Sequence, residues 1–347
     1  TLMKKTLLVL GALAAFSLGG TAENVGDTIS TTDLKYRVIA ANAVEVLDEV
    51  DSKTTSYTIP SMVTGTDGKT YTVTALGEDA FRWSNATIVV LPSTITALKD
   101  NAFASSSIAT INLPEGLKKI GSNAFLSCSG IKSIDIPASV DSIGNSAFFG
   151  TSWKEDATSL TLHEGLKYIG QSAFYSQDFT SVEIPSSVEE IAGKAFLFNK
   201  KLTKVTIKEG VKKMGDAVFN GCTLLSDITL PNSLDSVGIE LFLNDKALTK
   251  INIPAGLKYI GESFIAGTSV ADIELSPDNT TFVKKDGVVY TSDYSILKLA
   301  PVSGITDLTV DSRCLGIDGG AFWSSSIQSI KLPETLVAIG YGAFEAS

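Results

Sequence analysis

Short apolar alternations recur along this chain at a nearly constant interval. In "KSIDIP", Ile134 and Ile136 alternate with Ser133 and Asp135, the period of a half-buried β-strand. Twelve residues after the last apolar residue of such a run stands a phenylalanine. The pairs are Leu91 and Phe103, Leu113 and Phe125, Ile136 and Phe148, Leu162 and Phe174, and Ile184 and Phe196. Ile207 and Phe219, Leu230 and Phe242, Val310 and Phe322, and Leu332 and Phe344 continue the series. Most of these rings follow an alanine, with Val218 and Leu241 filling that slot twice, and neighbouring rings are mostly 22 or 23 residues apart. A fixed period in the twenties is the signature of a solenoid. The distance from a ring to the next run varies from 10 residues (Phe103 to Leu113) to 14 (Phe148 to Leu162). Constant spacing marks backbone packed on its neighbours, and variable spacing marks a surface loop.

Each coil then reads as strand, turn, apolar anchor, Ala-Phe and loop. Proline follows the strand at Pro92, Pro114, Pro137, Pro185, Pro231, Pro254 and Pro333. It has no N–H for a ladder, so it ends the strand at one level of the stack. Four and seven residues past the strand come core positions such as Leu117 and Ile120, Val140 and Ile143, Leu166 and Ile169, and Val188 and Ile191. Burying one phenylalanine is worth about 1.5–3 kcal/mol, so the ring column alone is a large stabilising element.

The turn carries a heptad that returns: "EGLKKIG" at Glu115, "EGLKYIG" at Glu164, "EGVKKMG" at Glu209 and "AGLKYIG" at Ala255. Coils between them read "ASVDSIG", "SSVEEIA" and "NSLDSVG". One position of this heptad runs Lys118, Asp141, Lys167, Glu189, Lys212, Asp235, Lys258, alternating in sign. At a strand spacing of about 4.8 Å this predicts a surface ladder worth about 0.2–1 kcal/mol per contact, screened by salt. Interleaved acids argue against a basic phosphate site. The heptad therefore reads as architecture.

Three departures break the period. The longest loop, Gly150 to Thr158, centres on Trp153. From Ser276 to Thr306 one coil lacks its phenylalanine, and Asp286-Gly287 between alternating runs predicts a β-hairpin excursion, with a further strand from Ile296 to Leu299. Just before it, Phe264 and Ile265 stand in the Ala and Phe slots. Residues 23–70 carry strand patterns without the repeat, as expected of an N-terminal β cap over the first coil, while residues 71–347 form the solenoid. The chain stops three residues past Phe344, so no C-terminal cap is expected.

Residues 1–22 contain Lys4 and Lys5, an apolar run from Thr6 to Phe16 and a small-residue exit ending at Ala22, the layout of a secretory signal peptide. The run is too short to span a bilayer, so no membrane insertion of the mature chain is expected. The 347 residues carry a formal charge of −10, and losing Lys4 and Lys5 takes it to −12. An acidic surface of this kind disfavours nucleic acid. Cys128 and Cys222 both lie three residues after a ring and four coils apart, about 19 Å at strand spacing, beyond disulfide reach. With Cys314 in a core slot, all three read as buried free thiols. The single histidine, His163, stands in a proline position and lacks the second histidine of a zinc helix. No phosphate loop, paired-cysteine metal site or nucleophile elbow is visible, so neither cofactor, metal nor catalysis is expected. The residues best placed to touch a ligand are Trp153 with the flanking aromatics Phe149 and Tyr175, and Glu183 and Lys204 on the outward strand face.

The pattern in "IDIPASVDSIGNSAFFG" and "INLPEGLKKIGSNAFLSC" resembles the BspA-like leucine-rich-repeat family of bacterial surface proteins, over about Tyr71 to Ser347. The resemblance implies a β-rich, right-handed superhelix with Gly or Ser (Gly116, Ser139, Gly165, Ser187) where common leucine-rich repeats carry an asparagine ladder. It also implies a secreted or cell-surface protein, often regarded as an adhesin for protein or glycan ligands on host or bacterial surfaces. No catalytic or ligand residues transfer from it. The competing expectations are a spacer that displays a further C-terminal domain and a non-catalytic repeat region of an exported enzyme.

Overall fold

The computed structural model describes residues 23–151 and 159–347. Over these residues the chain winds as a β-solenoid of about 11 turns, with no α-helix among the described residues. Along one side run two-residue strands: Lys119–Ile120, Ser142–Ile143, Tyr168–Ile169, Glu190–Ile191, Lys213–Met214, Ser236–Val237 and Tyr259–Ile260. Each pairs in parallel with the next, placing Ile120, Ile143, Ile169, Ile191, Met214, Val237 and Ile260 in one buried row. The register thus stacks apolar on apolar from coil to coil, which pins it.

A second side carries Ser159–Leu160, Ser181–Ile184, Lys204–Ile207 and Asp227–Ile228, again parallel, with Glu183 opposite Thr206 and Lys204 between Ser181 and Asp227. This sheet is not continuous. Residues 133–136 form no strand, contrary to the alternation in "KSIDIP". Ile136 is buried and Asp135 exposed all the same, so the alternation reports which side chain faces the core, not whether a ladder forms. Side-chain amides replace backbone pairing at two further places. Leu91 N–H and C=O meet the Asn112 amide (3.4 and 3.5 Å), and Leu230 N–H and C=O meet that of Asn252 (both 2.8 Å).

At the N-terminal end, β1 (Thr28–Ser30), β2 (Leu34–Ala40) and β3 (Ala43–Glu49) form an antiparallel meander. After β4 (Ser56–Thr58) and β5 (Met62–Thr64), β6 (Thr70–Leu76) pairs in parallel with β3 and then with Ala97–Leu98 of the coils. The buried Glu45 of β3 is held between Arg37 of β2 and Lys99 of the stack. Burying this carboxylate is costly without a counter-ion, and one cation at each of its oxygens offsets that cost.

The third side is the ring column. Phe81, Phe103, Phe125, Phe148, Phe174, Phe196, Phe219 and Phe242 are fully buried, with successive centroids 5.3–5.9 Å apart and planes within 13°. Residues two before and two after each ring take left-handed backbone, as Asn101 and Ser105 do around Phe103. That alternation turns every second N–H toward the next coil: Asn101, Phe103 and Ser105 donate to Ser122, Ala124 and Leu126 at 2.7–2.8 Å. Asparagine and aspartate tolerate this conformation best among non-glycine residues, as at Asp79, Asn101, Asn123 and Asn244, and small serines fill many of the other places.

The column ends at Phe264, which shifts into the Ala slot and meets Phe242 edge-on. Phe282–Lys285 and Val288–Thr291 form a hairpin, and Ile296–Leu299 pairs antiparallel with the second strand and parallel with Gly316–Ile317. The stack resumes through Ser263 N–H to Gly319 C=O (3.0 Å) and Ala300 N–H to Ala321 C=O (3.0 Å). Val288, Tyr290, Leu297 and Phe322 belong to an apolar cluster separate from the main core.

Candidate functional site

The recurring heptad is explained by how one turn rests on the next. Pro185 C=O accepts from Val188 N–H (3.2 Å), Pro231 from Leu234 and Pro254 from Leu257, closing a tight turn. In two of the "EG" coils the glutamate reaches forward. Glu164 accepts from Ser186 and Ser187 N–H (3.1 Å each), and Glu209 from Asn232 and Ser233 N–H (2.9 and 2.8 Å). The amide of Ser186, and that of Asn232, holds the respective carboxyl below its usual range. The serine answers: Ser187 Oγ takes Gly165 N–H and donates to Leu166 C=O (2.8 Å each), as Ser233 does for Gly210 and Val211 (2.8 and 2.9 Å). On the other side, a Cβ at Gly210 would collide with Ser186 C=O, and Gly210 has φ +143°. Glu164 and Glu209 thus grip the coil after them, and at Gly210 a side chain would not fit over the coil before, which together favour the two-coil alternation.

Lys118, Asp141, Lys167, Glu189, Lys212, Asp235 and Lys258 lie in one column, each N–H bonding the preceding member's C=O at 2.8–3.0 Å. Within it, Lys167–Glu189 (3.8 Å) and Asp235–Lys258 (2.9 Å) are ion pairs. The Lys258 ammonium lowers the Asp235 pKa.

Glu183 and Lys204 line one shallow depression on the strand face, with Ser181, Thr206, Leu160 and Leu162 around them. Both are committed to neighbours: Glu183 to Lys208 (2.7 Å) and Lys204 to Asp227 (2.7 Å). The Glu183 carboxylate raises the Lys208 pKa. Phe149 and Tyr175 come together elsewhere, on the rim, stacked at 4.4 Å. Phe198 of the following coil joins them edge-on to Tyr175 at 5.7 Å. Trp153 lies outside the described residues.

Two aromatics of the rim carried no signal in the strand-to-ring pattern. Phe198 and Trp83 occupy the left-handed slot two residues past the ring, which elsewhere holds Ser, Gly, Asn or Ala. They are 40% and 68% exposed, whereas a large side chain in that conformation is uncommon. Phe198 lies over Gly221, and Trp83 stacks on Arg82 at 4.0 Å, itself paired with Asp79 (3.2 Å). Comparing that one slot down the repeats would have found both.

Three residues past the ring is a buried polar slot, whose occupants include Cys128, Thr151, Gln177, Asn199, Cys222 and Asp245. Cys128, Cys222 and Cys314 are free and buried, and burial pushes the Cys128 thiol up to about 11. Such thiols stay protonated and unreactive. His163 is half-buried in its turn, where its C=O accepts from Leu166 N–H (3.4 Å). Among the described residues no group of three or more His, Cys, Asp or Glu side chains could hold a metal, and no helix is long and apolar enough to cross a membrane.

Coils of 22 or 23 residues with parallel ladders and an apolar interior define a leucine-rich-repeat solenoid. The family model for BspA type leucine rich repeat regions matches in six copies over residues 69–165, 167–286 and 301–347, and the chain belongs to this family. A search of curated proteins returns no match. Among solved structures, a leucine-rich repeat protein from Bacteroides ovatus is 23% identical over 92% of both chains, with a TM-score of 0.60. A leucine rich cell surface protein from Faecalibacterium prausnitzii is 25% identical over 92% of this chain and 73% of its own, with a TM-score of 0.57.

Proposed function

We propose that this protein is an extracellular, non-catalytic binding module that adheres to protein or glycan on host or neighbouring bacterial cells. The observation that carries the reading is the rim cluster of Phe149, Tyr175 and Phe198, contributed by three successive coils. The five residues after Tyr175 lead directly into the polar strand face of Ser181–Ile184. Aromatic side chains beside a polar rim are what protein interfaces favour, because they offer large contact area at low entropic cost. The signal-peptide layout of the sequence over residues 1–22 and the cell-surface relative at 25% identity support an extracellular place. In this reading residues 23–70 close the first coil and residues 71–347 are the display scaffold.

The test is binding of the purified protein to immobilised extracellular-matrix proteins, plasma proteins and glycans, with fractionation of the producing cells. Saturable binding to at least one surface and recovery outside the cytoplasm are expected. Cytoplasmic recovery with no binding to any surface would overturn the proposal.

A further inference from the structure

The buried polar slot has a consistent chemistry that one coil violates. Its occupants donate to ring-residue carbonyls. Cys128 Sγ donates to Phe103 C=O (2.9 Å), Gln177 Nε2 to Phe148 (2.9 Å), Asn199 Nδ2 to Phe174 (2.9 Å) and Cys222 Sγ to Phe196 (3.3 Å). Thr151 and Thr268 donate to the carbonyl of their own coil at 2.7 Å. Asn199 also accepts from Gln177 N–H at Oδ1 (2.8 Å), but the carbonyls that bound the slot still require a donor, and a carboxylate is acceptor-only until it takes a proton.

Asp245 occupies this slot in the coil after Cys222. It is fully buried, and neither carboxyl oxygen has a hydrogen-bond partner. Burial pushes the carboxyl up by more than the nearby Cys222 and Gly221 amides pull it down, and the hydrogen bonds of those amides go to Phe219 C=O (3.0 Å) and Leu243 C=O (2.8 Å). The titratable group facing it from the preceding coil is the Cys222 thiol, itself an uncharged donor. The next coil offers Thr268, already bonded to Ile265 C=O. No ion pair reaches Asp245 among the described residues, and Lys246 beside it is exposed.

We propose that Asp245 is held as a protonated acid, hydrogen-bonded like Asn199 to the ring carbonyls of its own and the preceding coil, so that its coil is a pH-sensitive joint in the stack. Burial raises its carboxyl well above the usual range, in the same direction. Because the folded value exceeds that of the unfolded chain, about 4, its stabilising contribution is full below pH 4. It is lost progressively as pH rises toward the folded value. The joint therefore tightens in acid and loosens toward neutral and alkaline pH, independently of what the rim binds.

The test compares wild type with Asp245→Asn, which copies Asn199, by urea unfolding between pH 4.5 and 8.5. The variant should have the higher midpoint at pH 8.5, with the gap closing toward pH 4.5. Hydrogen exchange in wild type, relative to the variant, should speed up with pH around residues 243–245 and not around Asn199. The infrared stretch of a protonated carboxyl at pH 7, absent in the variant, gives a readout independent of stability. A gap that does not change with pH, or no such stretch, would overturn the proposal.

Discussion

Phe148 and Phe149, and likewise Phe174 and Tyr175, are neighbours in sequence with opposite fates. The first of each pair lies in the ring column, fully buried and stacked on the coils before and after. The second is half-buried on the rim, stacked across a single coil boundary. The inner column is repeated from Phe81 to Phe242 because each ring needs the next to shield it. The rim slots hold Ala, Leu, Asn or Ser in most coils, so aromatics gathered there in three successive coils meet no requirement of the stack. Repetition marks architecture in this molecule, and the proposed contact lies where that repetition is locally breached.

The largest effect should come from the inner member. Phe174→Ala removes a ring between Phe148 and Phe196 and leaves a cavity that the stacked backbones cannot close. It should lower unfolding free energy by about 3–5 kcal/mol, read from denaturant midpoints. The interlock of "EG" and "SS" coils gives a smaller, pH-marked effect. The folded Glu209 carboxyl lies below its ordinary range, so its bonds to Asn232 and Ser233 contribute above pH 4–5 and disappear as pH falls through the folded value. Glu209→Gln should therefore be less stable than wild type near pH 7 and equal to it near pH 2, by the same measurement.

The ring column, its period and the two-coil alternation of the heptad were legible in the sequence, because each follows from one coil's contact with the next. The strand expected at Ile134 and Ile136 does not form, since alternation encodes burial while a ladder also depends on the neighbouring coil. The amides of Asn112 and Asn252, which stand in for backbone pairing, left no trace in the apolar pattern. Of the candidate contacts, Glu183 and Lys204 share a depression but are occupied by Lys208 and Asp227. Phe149 and Tyr175 form a cluster that Phe198 completes. Phe198 was missed because the strand-to-ring spacing does not single out the slot two residues past the ring, whose left-handed backbone makes a large side chain there unusual.

The smallest effect on stability should accompany the largest on function. Removing Tyr175 and Phe198 together forfeits rim contacts worth about 0.5–1.5 kcal/mol, partly offset by relief of a strained left-handed aromatic. The measurement is the affinity of Tyr175→Ala/Phe198→Ala for whichever surface the wild-type protein binds, taken with its unfolding midpoint. A near-native midpoint with saturable binding lost would place the contact on the rim. Unchanged affinity in the folded double variant would contradict that account.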